Sequence, residues 1–296
     1  MTRPVSVGIV GAGRVGAVLG SALRSAGHRV SAVAGESEAS RARAALLLPG
    51  VRIDKPTAVS RSCDLLLLTV PDDMLDNVVA MLAASGAIRP GQYVAHTSGR
   101  HGLAVLEPAR IAGAEVLALH PAMTFTGTDL DLDRLPGCAF GVTAESAAAV
   151  ALATSLVDVL RGRLVWVPED KRTLYHAGLA HGANHLVTLV TQAIDLLRES
   201  GATDPAATLR PLLSAALDNA LTMGDAALTG PIVRGDVETV RAHLQEITRT
   251  APATLPSYVA LARATANTAV LDGRLLPIRA AKLIGVLNDA LEKVSA

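Results

Sequence analysis

The six residues Gly11-Ala12-Gly13-Arg14-Val15-Gly16 constrain this chain more than any other stretch. They follow directly on an apolar run, Val5–Val10, and open a segment, Arg14–Ala26, whose apolar residues recur with helical period as far as Gly27. A strand that turns into a helix within two residues needs a backbone free to take positive φ, and Gly11 supplies it. Gly13 leaves the backbone bare for a close approach from outside, and Gly16 removes a side chain where helix and strand cross. A helix beginning there aims its unpaired N–H groups and the positive end of its dipole at whatever lies over the turn, and a pyrophosphate suits both. The spacing in this strand–turn–helix context predicts a dinucleotide site with contacts from Gly11, Gly13, Arg14, Val15 and Gly16.

The pattern continues. Arg29–Ala34 reads as a second strand and Glu38–Leu48 as a second helix. Asp64–Val70 is almost continuously apolar, as a parallel strand covered on both faces must be. A helix over Asp72–Ala84 follows, then strands at Tyr93–His96 and Glu115–Leu119 with a helix over Gly102–Ala112 between them. Cys138–Val142, Ala144–Leu160 and Leu164–Val167 add strand, helix and strand. Alternating strand–helix units imply an α/β domain with a doubly wound sheet of the Rossmann type. After Pro168 only helical patterns remain: Lys171–Ser200, Pro205–Leu228, Asp236–Thr250, Leu255–Ala269 and Pro277–Val294, punctuated by Gly and Pro. The expected organisation is a dinucleotide-binding domain over residues 1–168 and an all-α C-terminal domain over 169–296, the latter completing the substrate site and pairing two copies.

Which dinucleotide is bound depends on the end of the second strand, where an acidic residue would hold a ribose 2′-hydroxyl. Here Val33-Ala34-Gly35 carries none, and Ser37, Ser40, Arg41 and Arg43 follow, as a 2′-phosphate would require. Glu36 argues for the other cofactor. The expectation is NADP, held by Ser37 and Arg41, with NAD as the alternative. Thr69, Val70 and Pro71 close the central strand, and the cofactor should lie across them.

In open α/β sheets ligands gather at the carboxyl ends of strands. Two further ends carry reactive groups, His96-Thr97-Ser98-Gly99 and Leu119-His120-Pro121-Ala122-Met123-Thr124. Ser98 and His120 are the expected contacts to a substrate oxygen, His120 exchanging a proton near neutral pH. The competing roles are a helix N-cap for Ser98 and a bond to loop backbone for His120. On the helix after Lys171, His181, Asn184, His185, Thr188, Gln192 and Asp195 share one stripe, rich in imidazole and amide where a solvated face would carry Lys and Glu. His181 and Asn184 are the second pair of catalytic candidates. His181 and His185 have metal-ligand spacing, but no glutamate completes the zinc-protease pattern, and no metal is expected. Arg234, in Thr229–Asp236, is placed to hold a substrate carboxylate, with a plain surface arginine as the alternative.

The segments GIVGAGRVG, LLLLTVPDD, HTSG, LHPAMTF, YHAGLAHGANHLV, PLLSAALDNAL and TGPIVRGD together resemble a family of predicted NADP-dependent oxidoreductases. Its members join a Rossmann domain to a helical domain of unknown function, similar to the C-terminal domain of 6-phosphogluconate dehydrogenase. More distantly the layout is similar to ketopantoate reductase, pyrroline-5-carboxylate reductase and 3-hydroxyisobutyrate dehydrogenase. The resemblance implies a homodimer and a small keto or hydroxy acid as substrate, such as a ketopantoate-like one. Hydroxyacid members use a Lys-x-x-x-Asn pair on the first C-terminal helix. Asn184 matches the Asn, but Ala180 stands where the lysine would be, so that mechanism does not carry over. The HTSG and LHP loops are similar to those of prephenate dehydrogenase, and that similarity is the reason for pairing Ser98 with His120. The alternatives are an imine reductase, a prephenate-type dehydrogenase, and a dinucleotide sensor without catalysis.

Composition narrows the partners. Lys plus Arg and Asp plus Glu each number 27, so no net charge marks a surface for nucleic acid or acidic lipid. No apolar run reaches the length of a membrane span. The start, Arg3 and then an apolar stretch, imitates a signal peptide, but glycines and Arg14 interrupt it and the phosphate-loop reading accounts for those residues. Two cysteines, Cys63 and Cys138, lie far apart without metal spacing, so a reducing, cytoplasmic setting is expected.

Overall fold

The computed structural model describes residues 4–295. Arg3, on which the signal-peptide comparison leaned, lies outside them. The strands are β1 (Ser6–Val10), β2 (Arg29–Ala34), β3 (Arg52–Ile53), β4 (Leu65–Leu68), β5 (Tyr93–His96), β6 (Glu115–Pro121), β7 (Ala139–Ala144) and β8 (Arg163–Trp166). Between them run α1 (Arg14–Ser25), α2 (Glu38–Leu47), α3 (Pro56–Arg61), α4 (Asp72–Ala84), α5 (Glu107–Ile111), α6 (Leu130–Arg134) and α7 (Ala147–Val159). After β8 come α8 (Arg172–Glu199), α9 (Pro205–Met223), α10 (Pro231–Arg234), α11 (Val237–Thr250), α12 (Leu255–Leu271) and α13 (Pro277–Ser295). The doubly wound α/β class, followed by helices alone, is the class the sequence pattern predicts.

One eight-stranded sheet has the order β3-β2-β1-β4-β5-β6-β7-β8. Chain order reverses between β1 and β4, which opens a crevice at their carboxyl ends. Leu65 to Leu68 explain why β4 is central. All four are buried, Leu65 and Leu67 in the apolar layer with α1, α2 and α7, Leu66 and Leu68 in the layer with α3, α4 and α5. Successive side chains point to opposite faces, so a strand covered on both sides must be apolar at every position. Each buried leucine contributes roughly 1.5–3 kcal/mol.

Some elements depart from the sequence reading. β7 pairs antiparallel with β6, a direction that apolar periodicity does not encode. The expected helix over Gly102–Ala112 is a 3-10 turn, Ala104–Leu106, leading into the short α5, with Pro108 in its first turn. β6 runs on through His120 to Pro121, so His120 is a strand residue rather than a loop residue.

The chain divides into two compact units, Met1–Gly182 and Ala183–Ala296. The first unit reaches past the last strand because the opening turns of α8 are bound to the sheet, as described below. The second has its own core, which includes Val240, Leu244, Leu255, Val259, Leu283 and Leu287. Among the described residues no helix is long and apolar enough to cross a membrane.

Candidate active site

The turn after β1 has the geometry a phosphate needs. Gly11 takes φ +104°, and a Cβ there would strike the Thr69 backbone at 2.7 Å. Thr69 Oγ1 donates to the Gly11 carbonyl at 2.5 Å and locks the turn to the end of β4. Gly16 has no room for a side chain against Gly11 O and Thr69 Oγ1. Gly13 differs: the nearest atom to a Cβ there is 3.9 Å away, so its bare backbone faces open space. It is also the N-cap of α1 and supplies no side-chain cap, leaving the first N–H groups for an outside acceptor. Beside this turn lies a cavity of about 360 Å³, lined by Gly11, Ala12 and Gly13, by Gly35, Glu36 and Ser37 at the end of β2, and by Thr69, Val70 and Pro71 after β4. Ser37 caps α2 through Ser40 N, and Arg41 folds back to donate to the Glu36 carbonyl at 2.8 Å. The cavity and the uncapped helix fit a dinucleotide. Arg14 and Val15 open α1 beside the turn, Arg14 exposed.

A second group of polar residues gathers at the carboxyl ends of β5 and β6. His96, fully buried, accepts from Ser98 N at its Nδ1 and donates from Nε2 to the Gly102 carbonyl at 2.8 Å. Burial holds its pKa down at about 4, so it is a neutral staple for the loop. Ser98 is buried, and its hydroxyl accepts from His101 N, closing a turn rather than capping a helix. His120 Nδ1 lies 3.1 Å from the Tyr175 hydroxyl, and its ring meets His176 edge-on at 5.8 Å. Burial, then the nearby Arg172 charge and His176, push the His120 pKa down to about 4, with Asp72 opposing. At that pKa the His120 imidazole is neutral near pH 7.

Arg172 organises this group. Its side chain is fully buried and is met by carbonyls rather than a carboxylate. Nε donates to His101 O at 2.9 Å, Nη1 to Gly141 O at 3.0 Å, and Nη2 to Ser98 O. The first turn of α8 is thereby tied to the loop after β5 and to β7. Glu169 adds a second tie, its carboxylate accepting from the Leu103 and Ala104 amides. Two glycines make room: a Cβ at Gly99 would lie 3.1 Å from His120 Nε2 and inside the His176 ring, and one at Gly141 would overlap the Tyr175 hydroxyl.

Arg172, Tyr175 and His176 were not singled out by the sequence reading, although the segment holding the last two was. His181 and Asn184, which were, lie exposed further along α8. Arg234 belongs to the second unit, where it ends the short helix α10 and is exposed. Asp236 caps α11 through Thr239 N. Among the described residues no three His, Cys, Asp or Glu side chains cluster as a metal ion would need.

Comparison with known proteins agrees with this layout. Residues 2–121 match the model of a Rossmann-like domain, and residues 138–265 match a domain of unknown function, DUF2520. The chain joins a Rossmann-like domain to a DUF2520 domain. No curated protein matches it. Among solved structures it is similar to a Bacteroides fragilis protein provisionally named an NADP oxidoreductase, with 20% identity, TM-score 0.77, and coverage of 89% of this chain and 98% of that one. An imine reductase from Myxococcus stipitatus in complex with NADP+ has 17% identity and TM-score 0.59, over 98% and 95% of the two chains. Pyrroline carboxylate reductase from Plasmodium falciparum with NADP bound has 11% identity and TM-score 0.58, over 95% and 98%. At these identities the likeness is one of fold.

Proposed function

We propose that this DUF2520 chain is an NADP(H)-dependent oxidoreductase that interconverts a small keto acid and its hydroxy acid. One observation carries the reading. The bare turn at Gly13, with its cavity, and the Ser98–His120 group stand at the carboxyl ends of neighbouring parallel strands on one edge of the sheet. A dinucleotide with its pyrophosphate on α1 and its nicotinamide toward β5 brings hydride chemistry to those residues. NADP bound to the solved relatives supports the choice of cofactor, as do the acid-free end of β2 and Arg41 beside it. When bound, the cofactor supplies hydride. The chain's own residues orient the substrate and manage the proton, with Ser98 and His120 at the reacting oxygen.

Calorimetric titration with both cofactors tests the first part, and tighter binding of NADP(H) than NAD(H) is expected. A panel of keto acids and cyclic imines, followed by NADPH absorbance, tests the second. A chain that binds neither dinucleotide would overturn the reading.

We also propose that two copies pair through their helices. α9 buries only Leu209 and leaves Leu212, Leu217, Leu221 and Met223 exposed, while α8 exposes Leu186, Val187 and Leu189. A run of bare apolar side chains of this length marks an association surface. A reducing, cytoplasmic setting is proposed on the strength of Cys63 and Cys138, both unpaired and buried.

A further inference from the structure

The imidazole of His120 has two edges, and the structure distinguishes them. His120 on β6 stands opposite Gly141 on β7 in the antiparallel pair. Because Gly141 has no Cβ, the Tyr175 ring lies over the strand and its hydroxyl reaches His120 Nδ1 at 3.1 Å, with the two rings perpendicular. Burial holds the phenol pKa up, and the Arg172 guanidinium, 5.8 Å from the ring centre, opposes that rise. His120 Nδ1 is the one acceptor the phenol reaches among the described hydrogen bonds. With the phenol as donor, Nδ1 accepts and the imidazole proton sits on Nε2. That second edge faces Gly99 and His176, away from the tyrosine.

We propose that His120 meets the substrate as a neutral imidazole, fixed by Tyr175 in its Nε2–H form, and passes a proton from the phenol to the reacting oxygen. The inference rests on the oxidoreductase reading above and adds the class of reacting group. As the carbonyl carbon accepts hydride, the C=O π pair moves to oxygen, and oxygen takes the Nε2 proton. Nδ1 takes the phenol proton in the same movement. The phenolate left behind, which burial disfavours, lies beside the Arg172 charge that offsets part of that cost until solvent returns a proton. Arg172 serves twice, adding to burial in keeping the imidazole neutral before the transfer and stabilising the anion after it. The carboxylate that acts on His120 is Asp72, paired with Arg100 at 3.4 Å, while Glu169, engaged by two backbone amides, acts on Arg172. A neutral N–H donor beside a buried guanidinium suits a carbonyl oxygen, which accepts. It does not suit a protonated iminium nitrogen, which has no lone pair to offer and would meet a like charge. The site thus favours ketone or aldehyde substrates over iminium ions. In this scheme His120 is the catalytic residue, and Tyr175 and Arg172 are positioning residues.

Nitrogen NMR of the full-length protein with 15N-labelled histidine, assigned with His120→Asn, reads the tautomer without a substrate. The wild-type His120 signal should be that of a neutral ring with Nε2 protonated, unchanged from about pH 8 down to about pH 5.5. In Tyr175→Phe the bias toward Nε2–H should disappear, giving a mixture of tautomers. A wild-type ring that is protonated on Nδ1, or charged at about pH 6, overturns the proposal, as does a Tyr175→Phe protein with the wild-type tautomer. If Tyr175→Phe does not fold, the wild-type spectrum alone decides. NADPH titration of the same samples separates this test from the functional reading. Absent binding sinks the oxidoreductase assignment, whereas a wrong tautomer sinks only the relay. With any carbonyl substrate from the panel, Tyr175→Phe should lower turnover roughly 10²-fold or more with little change in KM.

Discussion

Gly13 and Gly16 lie three residues apart in one turn, and the structure assigns them opposite duties. Replacing each by alanine separates the two. At Gly16 the added methyl falls against the Gly11 carbonyl and Thr69 Oγ1 and 3.1 Å from Ile9 Cγ2. The carbonyl is backbone in a strained turn and the hydroxyl is held by a 2.5 Å bond, so neither yields easily. Overpacking of this kind costs about 1–3 kcal/mol, and the upper end is expected because the Thr69–Gly11 bond is strained with it. At Gly13 the nearest atom is 3.9 Å away and φ is −75°, which alanine adopts freely. Alanine is a poorer N-cap than glycine, a loss of roughly 0.5–1 kcal/mol, but it restricts the unfolded chain and recovers a similar amount. Stability should therefore stay within about 1 kcal/mol of wild type. NADP(H) affinity should fall at least tenfold, about 1.4 kcal/mol, because the methyl occupies the space that a pyrophosphate must enter. Urea unfolding measures the first quantity, and NADPH fluorescence titration the second. A Gly13→Ala protein that binds NADPH normally, or a Gly16→Ala protein as stable as wild type, would refute the argument.

His96 is neutral when folded, its pKa down at about 4, against an ordinary 6.5. Its contribution to stability is complete above about pH 6.5 and lost as the pH falls toward 4, a loss of about 3 kcal/mol in urea midpoints converted to free energy. His96→Gln should flatten that dependence. Arg41→Ala should weaken NADPH more than NADH, and equal losses in the two titrations would remove Arg41 from cofactor choice. Gly99→Ala should displace His120 and His176 while leaving NADPH affinity within a few fold, as the two imidazole signals in NMR would report. Light scattering should give twice the 30.4 kDa chain mass, and a monomer would refute the pairing of helices.

How much the sequence discloses follows from where each group's partners lie. The phosphate turn is legible because all it needs is local: Gly11 to Gly16 act within one turn, and their context is a strand and a helix that periodicity reveals. β4 is legible because burial on both faces writes itself as four leucines in succession. The direction of β7 is not, since an apolar alternation looks the same read either way along a sheet. The Ser98–His120 group lies between these extremes. Its strand ends were visible, but what completes it comes from more than fifty residues further on, as the 55-residue separation of His120 and Tyr175 shows. A helical projection of α8 picks out the His181–Asn184 stripe because it treats the helix as one environment. In the fold the environment changes along it. Arg172, Tyr175 and His176 in the opening turns are bound to the sheet, whereas His181 and Asn184 are exposed.

Two signals in the sequence pointed to the opening turns, and each has a physical basis. Tyr175 is one of three tyrosines in a chain that is only 2% aromatic, so its packing was not needed to fill a core built of Ala, Leu and Val. A buried phenol brings a hydroxyl that needs a hydrogen-bond partner. Gly141 interrupts an apolar strand, and a glycine in a strand interior marks the approach of something from outside the sheet. The visitor is Tyr175, and the cost of the missing side chain at Gly141 is offset by the bond that the phenol then makes to His120. The same reasoning makes Gly141→Ala a sharper test of the relay than any change to the imidazole itself. It leaves His120, Ser98 and the phosphate turn intact, yet forces the Tyr175 hydroxyl off Nδ1. Tautomer fixation should be lost with NADPH affinity preserved. If the His120 spectrum of Gly141→Ala matches wild type while the fold is kept, the phenol does not set the imidazole, and the proton for the reacting oxygen must come by another route.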